Sequence, residues 1–359
     1  MNGTVPARQL LDGCAAITES AIAAGCRFFA GYPMSPFTGL LENMSRRLPQ
    51  VGGHCLNAES EIEAVNMALG AAAAGVRAAT GSCGQGLALM QETIAELALN
   101  ELPLVIVNMA RNQQDYFQAT RGGGWGDYRT ITLAPKDVPE AVEHAQLLFH
   151  LADRYRAPVL LYGDPLIAQT HVSVDVAARD FGQLPAKDWA LDGTSGGTGH
   201  SRQIWTWAMG KVSAPGPGPD RHWRAVAAKF EQIARDEARS ETHQIDGAET
   251  VVVAFGSAGL FVEHVVDELR ADGHRVGLFR PVTLWPFPGA DLAVATRNAS
   301  RVLVFELNAG QMLDDVRQFA HDRGVVRFIG GVSIHASGLS FGSLLDAAPI
   351  RSRILEATA

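Results

Sequence analysis

Short apolar runs that alternate with helix-length stretches constrain this chain more than any other feature. Residues 27–33, 55–57, 77–81, 104–110 and 158–163 form apolar runs of strand length. Between them lie an amphipathic stretch at 14–24 and helix-length segments starting near Pro36 and Ser60. Parallel neighbours need a crossover connection, so this alternation predicts a mostly parallel sheet with helices on both faces. A second unit of the same kind begins at Thr250. There 251–257, 275–281, 301–308 and 325–331 read as buried strands. Val262, Val265, Val266 and Leu269 recur at i, i+3, i+4 and i+7, which is one face of a helix.

Between the two units the composition changes. TSGGTGH (194–200) and APGPGP (214–219) read as loop and linker, and a charged helical stretch follows at 222–240. The expected division is a first α/β domain at 1–180, a connecting segment at 181–248 and a second α/β domain at 249–359. A length of 359 residues suits two domains. The halves are not sequence repeats of one another.

Composition narrows the possible partners. A hydrophobic fraction of 47% with 19% charged residues supports a substantial core. The formal net charge of −8, without a long basic stretch, argues against nucleic acid or an anionic membrane surface. No segment approaches the roughly 20 apolar residues of a membrane span, and the N-terminus lacks the apolar run of a signal peptide. A cytoplasmic location is expected. Cys14, Cys26, Cys55 and Cys83 have no CxxC or other tight ligand spacing. Reduced thiols, no metal site and no iron–sulfur cluster of its own are therefore expected.

In an open parallel sheet, ligands bind beyond the carboxyl ends of the strands. Four polar features fall at such ends: Tyr32-Pro33-Met34-Ser35-Pro36, Glu59-Ser60-Glu61, the loop GSCGQG at 81–86, and Arg111. Each has a plainer reading. Prolines start helices, acids in a first turn answer the helix dipole, and a glycine-rich loop is often only a tight turn. An arginine after a strand is commonly just solvated. The four would converge on one rim if their strands are neighbours, which none of the plain readings explains.

These features sit in longer phrases: GYPMSPFTGLLE, AESEIEAVNMALGAAAAG, GLALMQE, ELPLVIVNMAR, and DYFQATRGGGWGDYR followed by ITLAP. With FRPVTLWPFP and ELNAGQM from the second unit, they resemble the alpha-type subunit of the 2-oxoacid:ferredoxin oxidoreductases. The likeness is nearest to the branched-chain (2-oxoisovalerate) members of the pyruvate:ferredoxin oxidoreductase superfamily. It covers nearly the whole chain and is weakest at 180–245. The resemblance implies a doubly wound, pyrimidine-type thiamine-diphosphate-binding domain followed by a transketolase C-terminal-like α/β domain. It further implies a hetero-oligomer. A beta subunit would supply the diphosphate and Mg2+ half of the cofactor site. A gamma and a ferredoxin-like delta subunit would complete the complex, with iron–sulfur clusters on partner subunits and external ferredoxin as acceptor. The implied reaction is oxidative decarboxylation of a small 2-oxoacid, with coenzyme A as co-substrate.

The resemblance also implies residue roles. Glu61 matches the glutamate that hydrogen-bonds the aminopyrimidine ring and favours the tautomer that activates the thiazolium carbon. Arg111 matches the arginine that grips the substrate carboxylate, a task suited to a planar fork of donors. Ser35 stands where the family's Y-P-I-T-P motif has threonine, offering a hydroxyl to substrate. Tyr32, Pro33 and Gly84 are expected to contact the cofactor.

The sequence also departs from the family pattern. Met34-Ser35 replaces Ile-Thr, Cys83 and Gln85 occupy a loop where relatives often carry Ser-Gly-Pro-Gly, and NQQDYFQAT after Arg111 lacks a glycine-rich insertion. These changes bear on substrate identity rather than fold. Cys83 reads as a small residue filling space, in preference to a reactive thiol. RGGGWGDYR (121–129) reads either as a loop over the cleft, with Trp125 and Tyr128 touching substrate or partner, or as a subunit-interface loop. Ala271-Asp272-Gly273 with Asn298 imitates the G-D-G…N diphosphate signature. It is discounted because it would precede a strand rather than follow one. No G-x-G-x-x-G opens a helix after the first strand, which disfavours a nicotinamide enzyme. Two rivals stand beside the main reading. One is a transketolase- or dehydrogenase-type thiamine subunit with another acceptor, such as lipoamide. The other is a non-catalytic assembly subunit, against which the presence of Ser35, Glu61 and Arg111 argues.

Overall fold

A computed structural model describes residues 8–191, 219–331 and 346–358. Its main sheet has seven strands, in the order Thr283–Trp285, Ile131–Leu133, Pro158–Gly163, Leu104–Met109, Ala78–Ser82, Phe28–Gly31 and His54–Asn57. Every neighbouring pair is parallel except the first. Leu104–Met109 and Pro158–Gly163 are buried at all six positions. That burial explains why these runs show continuous apolarity instead of alternation.

The crossover helices begin where short acidic side chains can cap them. Asp12 accepts from Ala15 N at 2.8 Å ahead of Gly13–Ala23. Asp137 accepts from Glu140 N at 2.8 Å ahead of Val138–Tyr155, whose first turn also carries a proline. Each cap satisfies one of the amides that a helix start leaves without a partner. Helix Val138–Tyr155 buries most of its length against the sheet and against Gly13–Ala23.

A second, five-stranded sheet runs Val326–Phe328, Arg301–Val304, Thr250–Val253, Val276–Pro281, Ser240–His243, with only the last strand antiparallel. Gln9–Asp12 and His171–Val174 form a separate antiparallel ribbon. The imitation of the diphosphate signature is a turn: Asp272 ends helix Gly256–Ala271, Gly273 follows at φ +91°, and strand Val276–Pro281 begins after it.

Several elements differ from the sequence expectation. Ile131–Leu133 and Thr283–Trp285 are three residues each, too short for a periodic signal. The second of these comes from the later α/β unit yet closes the edge of the first sheet, pairing antiparallel with Ile131–Leu133. The charged helical stretch expected at 222–240 is helix Pro219–Asp236, while strand Ser240–His243 falls in what was expected to be connecting segment. TSGGTGH and all of APGPGP but its final proline lie outside the described residues.

Polar contacts knit the two units together. Arg280 is 1% exposed and pairs with Glu140 at 2.6 Å and Glu241 at 2.8 Å. Lys136 joins the cluster through Glu241 at 3.3 Å and Glu263 at 3.0 Å. A guanidinium this deeply buried is tolerated only when paired. Burial, with Arg280 nearby, pushes His144 down to about 3, so it stays neutral. Gln113 donates through Nε2 to Phe255 O at 3.1 Å and accepts through Oε1 from Leu307 N at 2.8 Å. The phrase ELNAGQM thereby has a structural task. Within it, buried Glu306 accepts from Met312 N and Leu313 N at 2.8 and 2.9 Å and starts helix Met312–Phe319.

Candidate active site

Four adjacent strands deliver the four polar features to one rim. Gly31 lies opposite both Asn57 and Gly81, and Ser82 lies opposite Asn108. The chain therefore leaves all four strands at similar height, and residues 32–36, 58–61, 83–86 and 110–115 emerge side by side.

Glu61 is the first residue of helix Glu61–Ala73, but its side chain turns inward and is only 3% exposed. Ser82 Oγ donates to Glu61 Oε1 at 3.2 Å. Among the described residues, the hydrogen bond that Glu61 accepts goes to Oε1, and none goes to Oε2. Oε2 is therefore the carboxylate oxygen left to accept from a group outside the chain.

The glycines of the 81–86 loop follow from this packing. A Cβ on Gly86 would lie 2.0 Å from Ser82 Oγ and 2.4 Å from Glu61 Oε1. One on Gly81 would lie 2.3 Å from Val107 O. Gly84 adopts φ +52°, ψ −116°, a conformation that side chains disfavour. Gly84 N donates to Asp115 Oδ2 at 2.9 Å, and Asn108 Nδ2 donates to the same oxygen at 3.0 Å. Burial raises the Asp115 carboxyl above its usual range, opposed by those two hydrogen bonds and by the charge of Arg111.

Arg111 reaches across the rim. Its Nε donates to Ser35 O at 3.1 Å and its Nη1 to Gln85 Oε1 at 3.0 Å. Cys83 Sγ donates to the same Ser35 carbonyl at 3.4 Å. Ser35 thus anchors the cluster through its backbone while its side chain faces outward, with Tyr32 and Pro33 also exposed. Cys83 is fully buried, and burial pushes its thiol up to about 11. A protonated, enclosed thiol fits the space-filling reading. The residues brought together are Ser35, Glu61, Gly84 and Arg111, with Tyr32 and Pro33 on the adjoining surface.

The expectation for Tyr128 needs correction. It is 2% exposed, and its hydroxyl accepts from Gly123 N and Gly124 N at 3.0 Å each and donates to Gln91 Oε1 at 2.9 Å. Those bonds make Tyr128 the buried internal support of its own loop in place of an exposed contact residue. Trp125 is 56% exposed and meets Trp223 edge-on at 5.9 Å.

Sequence reasoning singled out the 81–86 loop without giving Ser82 or Gly86 a part in it, and missed Asn108 and Asp115 as supports of the cluster. Asp115 lies only four residues beyond Arg111, and the strand pairing that sets Asn108 beside Ser82 is the signal that exposes the group.

Among the described residues, no helix is long and apolar enough to cross a membrane, and no group of three or more His, Cys, Asp or Glu could hold a metal ion.

The family profile described as pyruvate flavodoxin/ferredoxin oxidoreductase, thiamine diP-bdg, matches residues 19–191. Residues 248–337 match pyruvate:ferredoxin oxidoreductase core domain II. Ketoisovalerate oxidoreductase subunit VorB of Methanothermobacter marburgensis is 35% identical over 337 residues, 90% of this chain and 94% of that protein. 2-Oxoglutarate synthase subunit KorA of Methanothermobacter thermautotrophicus is 33% identical over 339 residues, 86% of this chain and 89% of that protein. A solved 2-oxoglutarate:ferredoxin oxidoreductase from Magnetococcus marinus, with 2-oxoglutarate, coenzyme A and succinyl-CoA bound, matches with a TM-score of 0.81 and 25% identity. That alignment covers 98% of this chain, which spans 65% of the length of the solved chain. An inactive split gene transketolase tetramer matches at a TM-score of 0.57 and 11% identity, a likeness of fold alone.

Proposed function

The chain belongs to the pyruvate and 2-oxoacid:ferredoxin oxidoreductase family, and from that membership we propose that it is the subunit presenting Glu61 to a shared thiamine diphosphate. The reaction converts a 2-oxoacid and coenzyme A to acyl-CoA and CO2. Two electrons leave for iron–sulfur clusters on partner subunits and then for ferredoxin. A branched-chain 2-oxoacid is the proposed substrate, since VorB relatives are named for ketoisovalerate.

Glu61 carries this reading. Its buried carboxylate packs through Oε1 against Gly86 and Ser82, which leaves Oε2 to accept from a flat ring presenting an N–H. Thiamine diphosphate, when bound, supplies the nucleophilic carbon and the electron sink for decarboxylation. Glu61 holds the proton on the ring side of that exchange, and Ser82 fixes the carboxylate's orientation. Arg111, set by Ser35 O and Gln85, binds the substrate carboxylate. The Ser35 hydroxyl is available for a substrate oxygen, and Tyr32, Pro33 and Gly84 line the cofactor side.

The relatives are named as subunits. The proposed complex adds a beta subunit holding diphosphate and Mg2+, a gamma subunit and a ferredoxin-like delta subunit, assembled in the cytoplasm. The division at residues 180 and 248 is proposed on the same basis, with Thr283–Trp285 lent across it. The test is oxoacid- and coenzyme A-dependent viologen reduction by the co-purified complex across a panel of 2-oxoacids. Thiamine-dependent activity, highest with branched-chain acids, is expected. An intact, cofactor-loaded complex that reduces only lipoamide, or nothing, would overturn the proposal.

A further inference from the structure

We infer that Gln85 is a second substrate-carboxylate residue, which orients Arg111 through its amide oxygen and offers its amide N–H groups to the same carboxylate; the inference rests on Arg111 being the carboxylate grip. Gln85 is exposed at the rim, directly after Gly84, whose backbone is fixed by Asp115 at 2.9 Å. Its Oε1 accepts from Arg111 Nη1 at 3.0 Å. A primary amide has one acceptor oxygen and two N–H donors. With the oxygen committed to the guanidinium, Nε2 is the donor end of the amide, and among the described residues it donates to no protein acceptor. Arg111 and Gln85 are thus joined at the rim through one hydrogen bond, with Gln85 exposed. A carboxylate docking there meets Arg111 with one oxygen and the Gln85 amide with the other.

The choice of an amide has a physical consequence. A carboxylate at position 85 would form an ion pair with Arg111 and occupy the donors that the substrate needs. It would also add negative charge one residue from Gly86, against which Glu61 packs. An amide orients the guanidinium without neutralising it. Because every 2-oxoacid shares the same head group, the effect of Gln85 is expected to be common to all of them.

The experiment compares steady-state kinetics of the assembled complex carrying Gln85→Ala, Gln85→Glu or Arg111→Ala across several 2-oxoacids. Loss of one hydrogen bond at an exposed site predicts a rise in KM of about three- to tenfold for Gln85→Ala, with kcat within about twofold. Gln85→Glu should raise KM further, by about 30-fold or more, because an ion pair replaces a neutral contact. Both factors should be similar for every oxoacid, and KM for coenzyme A should not move. Unchanged oxoacid KM in both Gln85 variants, a rise confined to one oxoacid, or a rise for coenzyme A instead would each overturn the inference. Arg111→Ala separates the two failures. If it raises oxoacid KM while the Gln85 variants do not, only Gln85 is misassigned. If Arg111→Ala leaves KM unchanged, the assignment of Arg111 fails and this inference fails with it.

Discussion

Replacing Gly86 with alanine tests whether the position of Glu61 limits the reaction. The added methyl would lie 2.4 Å from Glu61 Oε1 and 2.0 Å from Ser82 Oγ. Ordinary contact begins near 3.4 Å, so the carboxylate must retreat by roughly 1 Å, a displacement of a kind that can cost about 10²-fold in rate. Rotation of Ser82 relieves the second clash but breaks its 3.2 Å hydrogen bond to Glu61. Overpacking of this kind also destabilises, by about 1–3 kcal/mol. The assay is kcat for oxoacid-dependent viologen reduction by the reconstituted complex, alongside thermal unfolding. The expected result is a kcat about 100-fold lower in a complex that still assembles. Gly86→Ala combined with Ser82→Ala should recover much of the stability without recovering the rate, because the clash with Glu61 persists. A Gly86→Ala complex with kcat within about twofold of the parent would refute the argument that Glu61 is held in place by close packing.

Asp115 accepts both of its hydrogen bonds through one oxygen, Oδ2. Asp115→Asn should therefore melt close to the parent, whereas Asp115→Ala should lose about 1–3 kcal/mol by leaving two donors without acceptors; equal melting of the two variants would contradict this. The Cys83 thiol, pushed up to about 11 by burial, is protonated at pH 8, so alkylation in the folded complex should be slow and should accelerate only as pH approaches 11. Rapid labelling of Cys83 at pH 8, read by mass spectrometry, would oppose that account. His144 has a folded value of about 3 against an ordinary 6.5. The unfolded chain takes up its proton first, so stability is fully present above about 6.5 and is lost as pH falls toward 3. His144→Gln should flatten the stability profile in that window, and an unchanged slope would remove His144 from the explanation.

Much of this molecule was legible in the sequence because its strands are buried on both faces. Leu104–Met109 and Pro158–Gly163 announce themselves as apolar runs, and their crossover helices follow from length and caps. Ser35, Glu61, Gly84 and Arg111 could be placed on one rim because each lies shortly beyond the carboxyl end of a strand; the roles expected of them came from the family resemblance. What escaped the sequence were contacts made across the sheet. Thr283–Trp285 is too short to show periodicity, and nothing local says that it pairs with Ile131–Leu133. Asp115 read as part of a divergent segment because its partners, Gly84 and Asn108, become neighbours only through strand register. Tyr128 was misjudged for a related reason. Its glycine-rich surroundings suggested an open loop, but those same glycines let backbone amides close onto its hydroxyl.

Glu61 of this chain is proposed to perform acid–base work on a thiamine diphosphate shared with a partner. The most direct measurement is viologen reduction by a reconstituted complex carrying Glu61→Gln, with subunit content and bound thiamine diphosphate determined on the same sample. A fall in kcat of about 10²–10⁴-fold in a fully assembled, cofactor-loaded complex is the predicted result. Parent-level activity in that complex would contradict the account.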